Sequence, residues 1–540
     1  MANLQNLSTS VAIVGAGPVG LALAIDLESR GIDCLVLEKG DGHVTHPRAG
    51  FISVRTMEFF RRWGIAQAVR DSGFPDDFAL SIEFCTSMTG HTLEREEYPC
   101  LRDMPLPSWA PEKKQRCPQH WLDPILKATL REHSPNALHI NTGVDDFEQD
   151  DNGVTVHATD SVTGHPMIVR AKYVVGCDGA TSTIRTRLGI PMEGNGHINY
   201  SMSVLFSCPD LLRLSGKSAA ERFLFIGPEG TWGNLTVIDG HEVWRLTVYG
   251  TASKFDTNAF DAERWVRQAL GTNTIPFQVI STLPWKRAEL VAERYDVGRV
   301  LLAGDAAHTM SPTGGMGMNT GMGDVFDLGW KLQAMLEGWG GPRLLPAYTE
   351  ERRAIAVRNG AYSTQNYKTW VSPPCVPFLL EDTPEAEVAR HDIGRAMKQA
   401  TQYEWESWGL QVGYRYEGSP LCVPDGTPPT ADDYSIYEPI ARPGSRAPHV
   451  WQSPGRSILD LFGVGFTLLV FGDHSTEAER LTTAAASRGV PLTVHHIDSS
   501  EAADLYAAPL VLVRPDGHVA WRGAGTTDPG NIIDTVRGAA

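Results

Sequence analysis

Residues 10–20, SVAIVGAGPVG, combine a continuous apolar run with a GxGxxG pattern of glycines. The apolar run at residues 10–16 predicts a buried strand, and residues 18–30 predict a helix that ends at Gly31. Residues 33–38, DCLVLE, predict a second buried strand. A strand, a helix and a strand in this order favour a parallel sheet that is covered by helices, so the predicted fold class is α/β.

The glycine pattern has the context of a dinucleotide-binding fingerprint, because it follows a strand, opens a helix and precedes Glu38 at the end of the next strand. Gly15 permits the tight turn, Gly17 lets the backbone approach a pyrophosphate, and Gly20 lets helix and strand pack closely. The helix N-terminus offers N–H groups to that pyrophosphate, and Glu38 can bind ribose hydroxyls. The pattern does not distinguish NAD from FAD. A second nucleotide would bind transiently, because the sequence has no other GxGxxG in a strand–helix setting.

Two later motifs also place chemistry at the ends of predicted strands. Residues 299–319, RVLLAGDAAHTMSPTGGMGMN, predict a strand that ends at a Gly-Asp pair, then a glycine-rich loop and a helix. Asp305 in that pair can accept hydrogen bonds from a polyol, and the glycines can bring N–H groups against an electron-rich ring edge. Residues 174–187, VVGCDGATSTIRTR, predict a strand, an Asp-Gly pair that contains Asp178, and a polar helix with Arg185.

The composition excludes several classes of protein. The chain has 540 residues, of which 42% are hydrophobic and 21% charged, and these values are typical of a globular protein with several domain-sized units. The formal net charge of −17 argues against a general nucleic-acid binder, because phosphate backbones need a basic surface. We expect no membrane-spanning helix, because no uninterrupted apolar run reaches about 18 residues.

The cysteines and the N-terminus indicate the compartment. The eight cysteines form no CxxC pair and no group with the spacing of metal ligands, so we expect free thiols and no bound metal. Residues 1–10 lack the basic segment followed by an apolar one that forms a secretion signal. The sequence therefore predicts a cytoplasmic protein.

Together the three motifs resemble those of the class A FAD-dependent aromatic hydroxylases, which have the p-hydroxybenzoate hydroxylase fold, and the resemblance covers about residues 8–370. The longer phenol-hydroxylase-like and rebeccamycin-tailoring-like members are more similar still. That closer similarity is carried by SPTGGMGMNTGMGDVFDLGWKL (311–332), YTEERRAIAVRN (348–359), PGSRAPHVW (443–451) and VLVRPDGHVAWRG (511–523).

The resemblance implies an α/β (α+β) protein with a Rossmann-like FAD-binding domain, a β-sheet substrate domain and a thioredoxin-like C-terminal domain. Without a CxxC, redox exchange through the last of these is not expected, and a role in packing or in a homodimer is favoured. The expected divisions are an FAD-binding domain at 1–75, 115–190 and 284–372, a substrate domain at 76–114 and 191–283, a helical segment and linker at 373–433, and the thioredoxin-like domain at 434–540.

The resemblance also implies which residues hold the cofactor and its partners. Asp178 and Arg185 match a motif that handles both FAD and the pyridine nucleotide, and Pro312 matches a proline that flanks the substrate beside the flavin. No residue is predicted to be an obligatory acid or base. The residues expected to bind FAD are Gly15, Gly17, Gly20, Glu38, Arg48, Gln119, Asp178, Asp305, Gly315, Met318 and Asn319.

Substrate contacts are expected from the β-rich segment, residues 191–283. Its candidate strands carry Tyr200, Phe206, Phe225, Trp232 and Arg245. An arginine buried among such aromatic rings can pair with a carboxylate or phenolate of the substrate. One departure from the family concerns Met316, which stands where many relatives have glutamine, so a side-chain hydrogen bond to the flavin loop is lost.

The implied reaction is the hydroxylation of a phenolic or polycyclic aromatic compound by a C4a-hydroperoxyflavin, with NAD(P)H as electron donor and O₂ as oxidant. A Baeyer–Villiger oxygenase is an alternative, because it uses the same flavin chemistry. A flavin dehydrogenase or oxidase without oxygen insertion is another. A protein that retains FAD only to sequester an unstable intermediate is the remaining alternative.

Overall fold

The computed structural model describes residues 5–250 and 252–540. The strands are β1 (Gln5–Val14), β2 (Cys34–Leu37), β3 (Phe51–Ile52), β4 (Ile82–Cys85), β5 (Thr92–Glu96), β6 (Gln115–Arg116), β7 (Leu138–His139), β8 (Thr142–Asp150), β9 (Gly153–Asp160), β10 (Pro166–Gly176), β11 (Met192–Ser207), β12 (Arg222–Gly227), β13 (Gly230–Val237), β14 (Val243–Tyr249), β15 (Gln278–Ala292), β16 (Asp296–Val297), β17 (Val300–Leu302), β18 (His308–Thr309), β19 (Trp451–Ser453), β20 (Arg456–Ser457), β21 (Phe466–Phe471), β22 (Leu492–Ile497), β23 (Leu510–Val513) and β24 (Val519–Gly523).

The α-helices are α1 (Pro18–Ser29), α2 (Val54–Arg62), α3 (Ala66–Arg70), α4 (Gln119–His133), α5 (Thr183–Arg187), α6 (Leu211–Ser215), α7 (Ala262–Leu270), α8 (Met316–Glu337), α9 (Leu344–Trp370), α10 (Pro384–Trp405), α11 (Trp408–Val412), α12 (Ser475–Ala486), α13 (Ser500–Tyr506) and α14 (Pro529–Val536). Short 3₁₀ helices lie at Gly304–Ala306 and Ile458–Leu461. None of the helices in the described ranges is long and apolar enough to cross a lipid bilayer.

The first sheet confirms the strand–helix–strand prediction at the N-terminus. Its strands run in the order β16-β17-β10-β1-β2-β7, with parallel pairing from β17 to β7, and β8 and β9 extend the sheet from β10. Residues 11–13 of β1 are fully buried beneath α1, because a central parallel strand is covered on both faces. The carboxyl ends of β1, β10 and β17 therefore lie side by side at one edge of the sheet.

The second sheet has the order β18-β15-β11-β14-β13-β12-β4-β5 and is mostly antiparallel. The strands β4 and β5 form one edge of this sheet. These two strands are only four and five residues long, and proline-rich sequence surrounds them, so neither produces a strong periodic signal. Pairing of β4 with β12, and of β5 with β4, stabilises them.

The two faces of the second sheet differ in polarity. Alternate residues such as Met202, Val204 and Phe206 on β11 pack with α7 in one hydrophobic cluster. The residues between them, including Ser201 and Ser203, are buried on the opposite face, although they are polar. A buried sheet face with hydroxyl side chains does not form an apolar core, and such a face is typical of a ligand pocket.

The C-terminal sheet, with the order β22-β21-β23-β24, has a hydrophobic cluster of its own on one face and shares the cluster on its other face with α8. Trp330 of α8 and Trp339 lie in the same buried cluster as Phe466 and Leu468 of β21. The cluster continues through the helices α12 and α14. The C-terminal region and the long helix α8 are therefore packed as one body.

Candidate cofactor and substrate site

The first turn of the nucleotide fingerprint has the geometry that its glycines require. Gly15 has φ +105°, and a Cβ at this position would lie 2.5 Å from the carbonyl oxygen of Cys177. A Cβ at Gly20 would lie 2.0 Å from the carbonyl oxygen of Gly15. At Gly17, by contrast, no atom of the described residues lies within 4 Å of such a Cβ. Gly15 and Gly20 thus permit close packing, and Gly17 opens onto free space.

The helix α1 begins at this open space. Gly17 is its N-cap residue, and within the described chain no side chain caps the helix and no acidic residue occupies its first turn. The N–H groups at this end therefore remain available to an anion. Beside them, Glu38 accepts hydrogen bonds from the N–H groups of Ala16 and Gly40, both at 2.7 Å. These bonds hold the carboxylate, whose further lone pairs can receive ribose hydroxyls.

Another side of the predicted cofactor site is formed by Arg48, Gln119 and Asp305. The backbone N–H of Arg48 donates to Oε1 of Gln119 at 3.2 Å, and the Arg48 side chain is exposed. The side chain of Asp305 is exposed at this edge; the protein around it raises its pKa, and the charges of His308 and Arg48 partly oppose that rise. The predicted ligands from three separate segments therefore come together at the carboxyl edge of the first sheet.

The Asp-Gly motif is attached to the loop that follows β17. Oδ2 of Asp178 accepts from the N–H of Thr183 at 2.7 Å, whereas Oδ1 is buried without a hydrogen-bond partner among the described residues. Arg185 donates to the carbonyl oxygens of Ala306 at 2.8 Å and Ala180 at 3.0 Å. Arg185 thus fixes one motif against the other, and the free Oδ1 of Asp178 leaves an acceptor for a ligand.

The glycine loop, residues 311–315, leads into α8. Gly314 and Gly315 have φ +87° and +67°, a backbone conformation that favours glycine. Asn319 donates to the carbonyl oxygens of Phe51 and Gly315, and its Oδ1 accepts from the N–H of Ser53. The Asn319 side chain therefore sets the position of the loop by contacts within the protein.

The other predicted residues of this loop differ in exposure. Pro312 is exposed and Met318 is half-buried. Met316 is buried in a small apolar cluster with Tyr362 and Leu410, which accommodates its thioether. His308 is fully buried, and its Nε2 lies 2.7 Å from Oδ2 of Asp324, so this histidine is a structural contact.

The polar face of the second sheet lies against the glycine loop. Arg287 of β15 donates to Oγ1 of Thr313 at 3.1 Å and to Oδ1 of Asn199 at 3.3 Å. Its guanidinium carbon lies 3.8 Å from the centroid of the Tyr367 ring. The sequence analysis missed Arg287 and Tyr367, because their proximity depends on how β15 and α9 pack together.

The five predicted substrate contacts do not lie together. Phe206 and Phe225 are fully buried in the cluster beneath α7, and Trp232 stacks on Phe225 with ring centroids 5.0 Å apart. Tyr200 is half-buried, with its ring centroid 4.8 Å from that of His197. Register pairing of β11 with β14 places the remaining residue, Arg245, on the polar face with Ser203 and Thr247.

Arg245 has unusual electrostatics. Its Nη1 donates to the carbonyl oxygen of Pro47 at 2.8 Å, and none of the described carboxylates forms an ion pair with it. Burial, together with the nearby charges of Arg222 and Arg116, lowers the pKa of Arg245 to about 10. This end of the polar face therefore carries positive charge that a bound anion would neutralise.

Glu404 is a buried acid beside the same face. Its Oε2 accepts from Nε1 of Trp370, and its Oε1 lies 3.8 Å from Nη1 of Arg222. Burial raises the pKa of Glu404 to about 7. It is the last-turn residue of α10, far in sequence from every motif, so no local pattern signals it.

Four features fit an extended dinucleotide. They are the open space at Gly17, the uncapped start of α1, the hydrogen-bonded carboxylate of Glu38 and the unpartnered Oδ1 of Asp178. The glycine loop fits a planar ring system at the end of that dinucleotide, next to the polar sheet face. These features are those of a flavin-dependent oxidoreductase.

Comparisons with known proteins agree with this class. Residues 8–361 match the family described as FAD binding domain, and residues 441–539 match the family described as aromatic-ring hydroxylase, C-terminal. The chain is 32% identical to 2,4-dichlorophenol 6-monooxygenase of Delftia acidovorans, over 96% of this chain and 95% of that protein. It is 31% identical to tetracenomycin B2 monooxygenase-dioxygenase of Streptomyces olivaceus, over 99% of this chain and 98% of that protein.

Among solved structures, the rebeccamycin biosynthetic enzyme RebC with reduced flavin is 40% identical, with a TM-score of 0.92, over 99% of this chain and 100% of that one. The flavin-dependent monooxygenase PieE, in complex with FAD and substrate, is 29% identical with a TM-score of 0.89, over 99% of this chain and 100% of that one. The chain therefore belongs to the family of FAD-dependent aromatic-ring monooxygenases.

Proposed function

We propose that the protein hydroxylates a polycyclic aromatic substrate that carries a carboxylate, with NAD(P)H as electron donor. The observation that carries this proposal is Arg245, a guanidinium without an ion-pair partner among the described residues, on a buried polar face that adjoins the glycine loop. Structures of RebC and of RebC-10x that were soaked with chromopyrrolic acid support the substrate class, because they contain bound 7-carboxy-K252c.

FAD would be held by the residues that the sequence analysis named. The diphosphate would lie at Gly17 and the start of α1, the ribose at Glu38, and the ribityl chain at Asp305. The isoalloxazine ring would lie along Gly315, Met318 and Asn319. When bound, FAD supplies activation of O₂ and delivery of one oxygen atom to the ring. The remaining cofactor contacts that we propose are Gly15, Gly20, Arg48, Gln119 and Asp178.

The residues of this chain would bind and orient the substrate and would exclude water from the site. Arg245 would bind the substrate carboxylate, and Pro312 and Thr313 would border the aromatic ring at the glycine loop. Arg287 holds the side chains of Ser311 and Thr313 and so fixes that border. NAD(P)H would approach near Asp178, where Arg185 keeps the two motif loops together. The overall change consumes O₂ and NAD(P)H with one proton and yields hydroxylated product, water and NAD(P)⁺.

The test measures oxidation of NADH and NADPH by the FAD-loaded protein with a panel of polycyclic aromatic acids, and analyses the products under ¹⁸O₂. A substrate is expected to accelerate oxidation and to gain one labelled hydroxyl. The matching methyl esters should be poor substrates. Arg245→Met should raise KM for the acid by about tenfold or more and leave KM for the ester unchanged.

Other outcomes identify other functions. A ring-expanded product with labelled oxygen would indicate a Baeyer–Villiger oxygenase. Oxidation that yields only hydrogen peroxide would mean that the added compound mimics the substrate or that the chemistry is not hydroxylation. Equal rates for acid and ester would contradict the role of Arg245 while leaving the reaction class intact. The domain divisions, the cytoplasmic location and the homodimer that the sequence suggests stay predictions.

A further inference from the structure

The hairpin turn between β23 and β24, residues 514–518 (RPDGH), is completely buried. Turns at the ends of hairpins usually lie on the surface, because their backbone groups need water. Here the turn is inserted between α2, α8 and α9 of the FAD-binding region. Its charged side chains, Arg514 and Asp516, have at most 1% of their surface exposed.

Arg514 is the main anchor of this turn. Its Nη2 donates to Oδ1 of Asp327 on α8 at 2.8 Å and to Oε2 of Glu351 on α9 at 3.0 Å. Lys331 completes the cluster, because its Nζ donates to Oδ2 of Asp327 at 2.7 Å and to Oε2 of Glu351 at 2.6 Å. The turn therefore joins two helices that are distant in sequence from it.

The backbone of the turn also receives bonds from α2. Arg55 donates to the carbonyl oxygen of Asp516 at 2.9 Å. Arg62 donates to the carbonyl oxygen of Pro515. Glu58 of the same helix pairs with Arg446, which lies beside the turn through a β-bridge to His518. One face of α2 is thus bound to the C-terminal region along its whole length.

The same three helices hold the loops of the cofactor site. Asp324, one turn before Asp327 on α8, accepts from the backbone N–H of Gly304 at 3.0 Å, directly before Asp305. Arg352, next to Glu351 on α9, donates to Oδ1 of Asp324 at 2.8 Å. On α2, the hydroxyl of Thr56 donates to Oδ1 of Asn319 at 2.8 Å, at the glycine loop.

We propose that the turn 514–518 is a positioning element for the FAD site, and that Arg514, acting through Asp327 and Glu351, sets the loops that contain Asp305 and Gly315. The C-terminal region contributes to FAD affinity without contacting FAD. Because removal of one partner leaves buried charges uncompensated, the arrangement of α8 and α9 depends strongly on Arg514.

The first test uses the wild-type chain, with hydrogen exchange measured by mass spectrometry with and without FAD. Coupling is reciprocal, so FAD binding should slow exchange in peptides that cover β23, the turn and β24 by about fivefold or more. Peptides that cover α13, which packs in a cluster made only of residues of the C-terminal region, should change less. Bound FAD without any change at the turn would overturn the proposal.

The second test compares Arg514→Lys with Arg488→Lys as the matched control. Both changes keep the positive charge and lose a two-pronged contact, but Arg488 pairs with Asp534 inside the C-terminal region at 2.7 Å. Arg514→Lys should weaken FAD binding by about tenfold and change the visible circular dichroism of bound flavin, whereas the control should do neither.

Each result of these tests has a consequence. Lower thermal stability of Arg514→Lys with unchanged FAD affinity and unchanged flavin dichroism would make the turn a structural clamp only and overturn the proposal. If Arg514→Lys does not fold, the exchange measurement on the wild type decides. A wild-type chain that binds no FAD would overturn both this proposal and the proposed function, whereas FAD binding without coupling overturns this proposal alone.

Discussion

At the residue scale, Gly17 and Gly20 of the fingerprint differ in what surrounds them. Replacement of Gly17 by alanine meets open space in the protein, and φ −71° suits any residue, so the stability of the apoprotein should change by about 0.5 kcal/mol or less. The added methyl would nevertheless stand where the pyrophosphate approaches the backbone. Gly17→Ala should therefore fold and weaken FAD binding by about tenfold or more.

Gly20→Ala is the informative control for that change. Its Cβ would lie 2.0 Å from the carbonyl oxygen of Gly15, so the strand and helix must separate. We expect a loss of several kcal/mol or failure to fold, because overpacking a close backbone contact is strongly destabilising. Thermal unfolding of both apoproteins and flavin fluorescence titration separate the two effects. Normal FAD affinity in Gly17→Ala would contradict the assigned role.

The raised pKa of Glu404 predicts that the stability of the protein depends on pH. Its pKa is raised from 4.5 to about 7 by burial, so between these values the folded chain binds a proton that the unfolded chain does not. The free energy of unfolding therefore falls as the pH rises through this window, by at most about 1.4 kcal/mol per pH unit. Glu404→Gln keeps a neutral group of the same size and should remove this contribution.

The measurement is the thermal midpoint of wild type and Glu404→Gln at pH 5 and pH 7.5. The variant should gain stability relative to wild type at the higher pH, because only the wild type must bury an ionised carboxylate there. Glu387→Gln, an exposed position on the same helix, should show no such change. A difference between wild type and Glu404→Gln that does not vary with pH would contradict the assignment.

At the scale of elements, the start of α8 explains the departure from the family at Met316. Its side chain is 3% exposed and packs with Tyr362 and Leu410. Met316→Gln would bring an amide into this apolar cluster, at a cost of about 1–3 kcal/mol unless it finds partners. Met335→Gln, at a partly buried position near the end of the same helix, should cost less.

Thermal unfolding with and without FAD tests this prediction. If FAD raises the thermal midpoint of Met316→Gln by more than it raises that of wild type, the amide has found a partner in the loaded site. Equal shifts in both proteins, with a lower midpoint for the variant, would show that the cost is one of packing alone. Equal stability of variant and wild type would contradict the packing argument.

The sequence predicted elements whose signals are local. The turn at Gly15 and the helix that follows it were both predicted, and Gly15 has φ +105° at that turn. A turn or a fingerprint is determined by a few adjacent residues, so short windows are sufficient.

The polar sheet face was not predicted, because alternation along a strand does not tell which face meets the ligand. Phe206 and Phe225 were therefore chosen as substrate contacts, whereas Ser201 and Ser203 were overlooked. The alternating hydroxyls on β11 are the signal that could have revealed the pocket. Arg287 and Glu404 join it only through the packing of β15 and α10, which no local pattern encodes.

At the scale of the whole molecule, the C-terminal region shares one of its two hydrophobic clusters with α8. Trp330 and Phe466 lie 5.8 Å apart between ring centroids, and both belong to one buried cluster. Separate domains usually meet at small polar interfaces and unfold independently. A shared core, together with the buried cluster of Arg514, Asp327 and Glu351, predicts instead that the chain unfolds in one transition.

Leu481→Ala tests this cooperativity from the side of the C-terminal region. Leu481 lies on α12 and is 1% exposed, so its truncation should cost about 2–5 kcal/mol. Val464→Ala, at an exposed position, should change stability by about 0.5 kcal/mol or less. Calorimetry with simultaneous flavin fluorescence should give a single transition in all three proteins.

In Leu481→Ala, that transition and FAD release should shift together to lower temperature, because loss of the C-terminal packing removes the support of α8 and of the loops that α8 positions. Two resolved transitions, with FAD released only in the unshifted one, would mean that the C-terminal region folds independently of the FAD site. That result would also conflict with a shared core around Trp330, because half of such a core cannot melt while the other half stays buried.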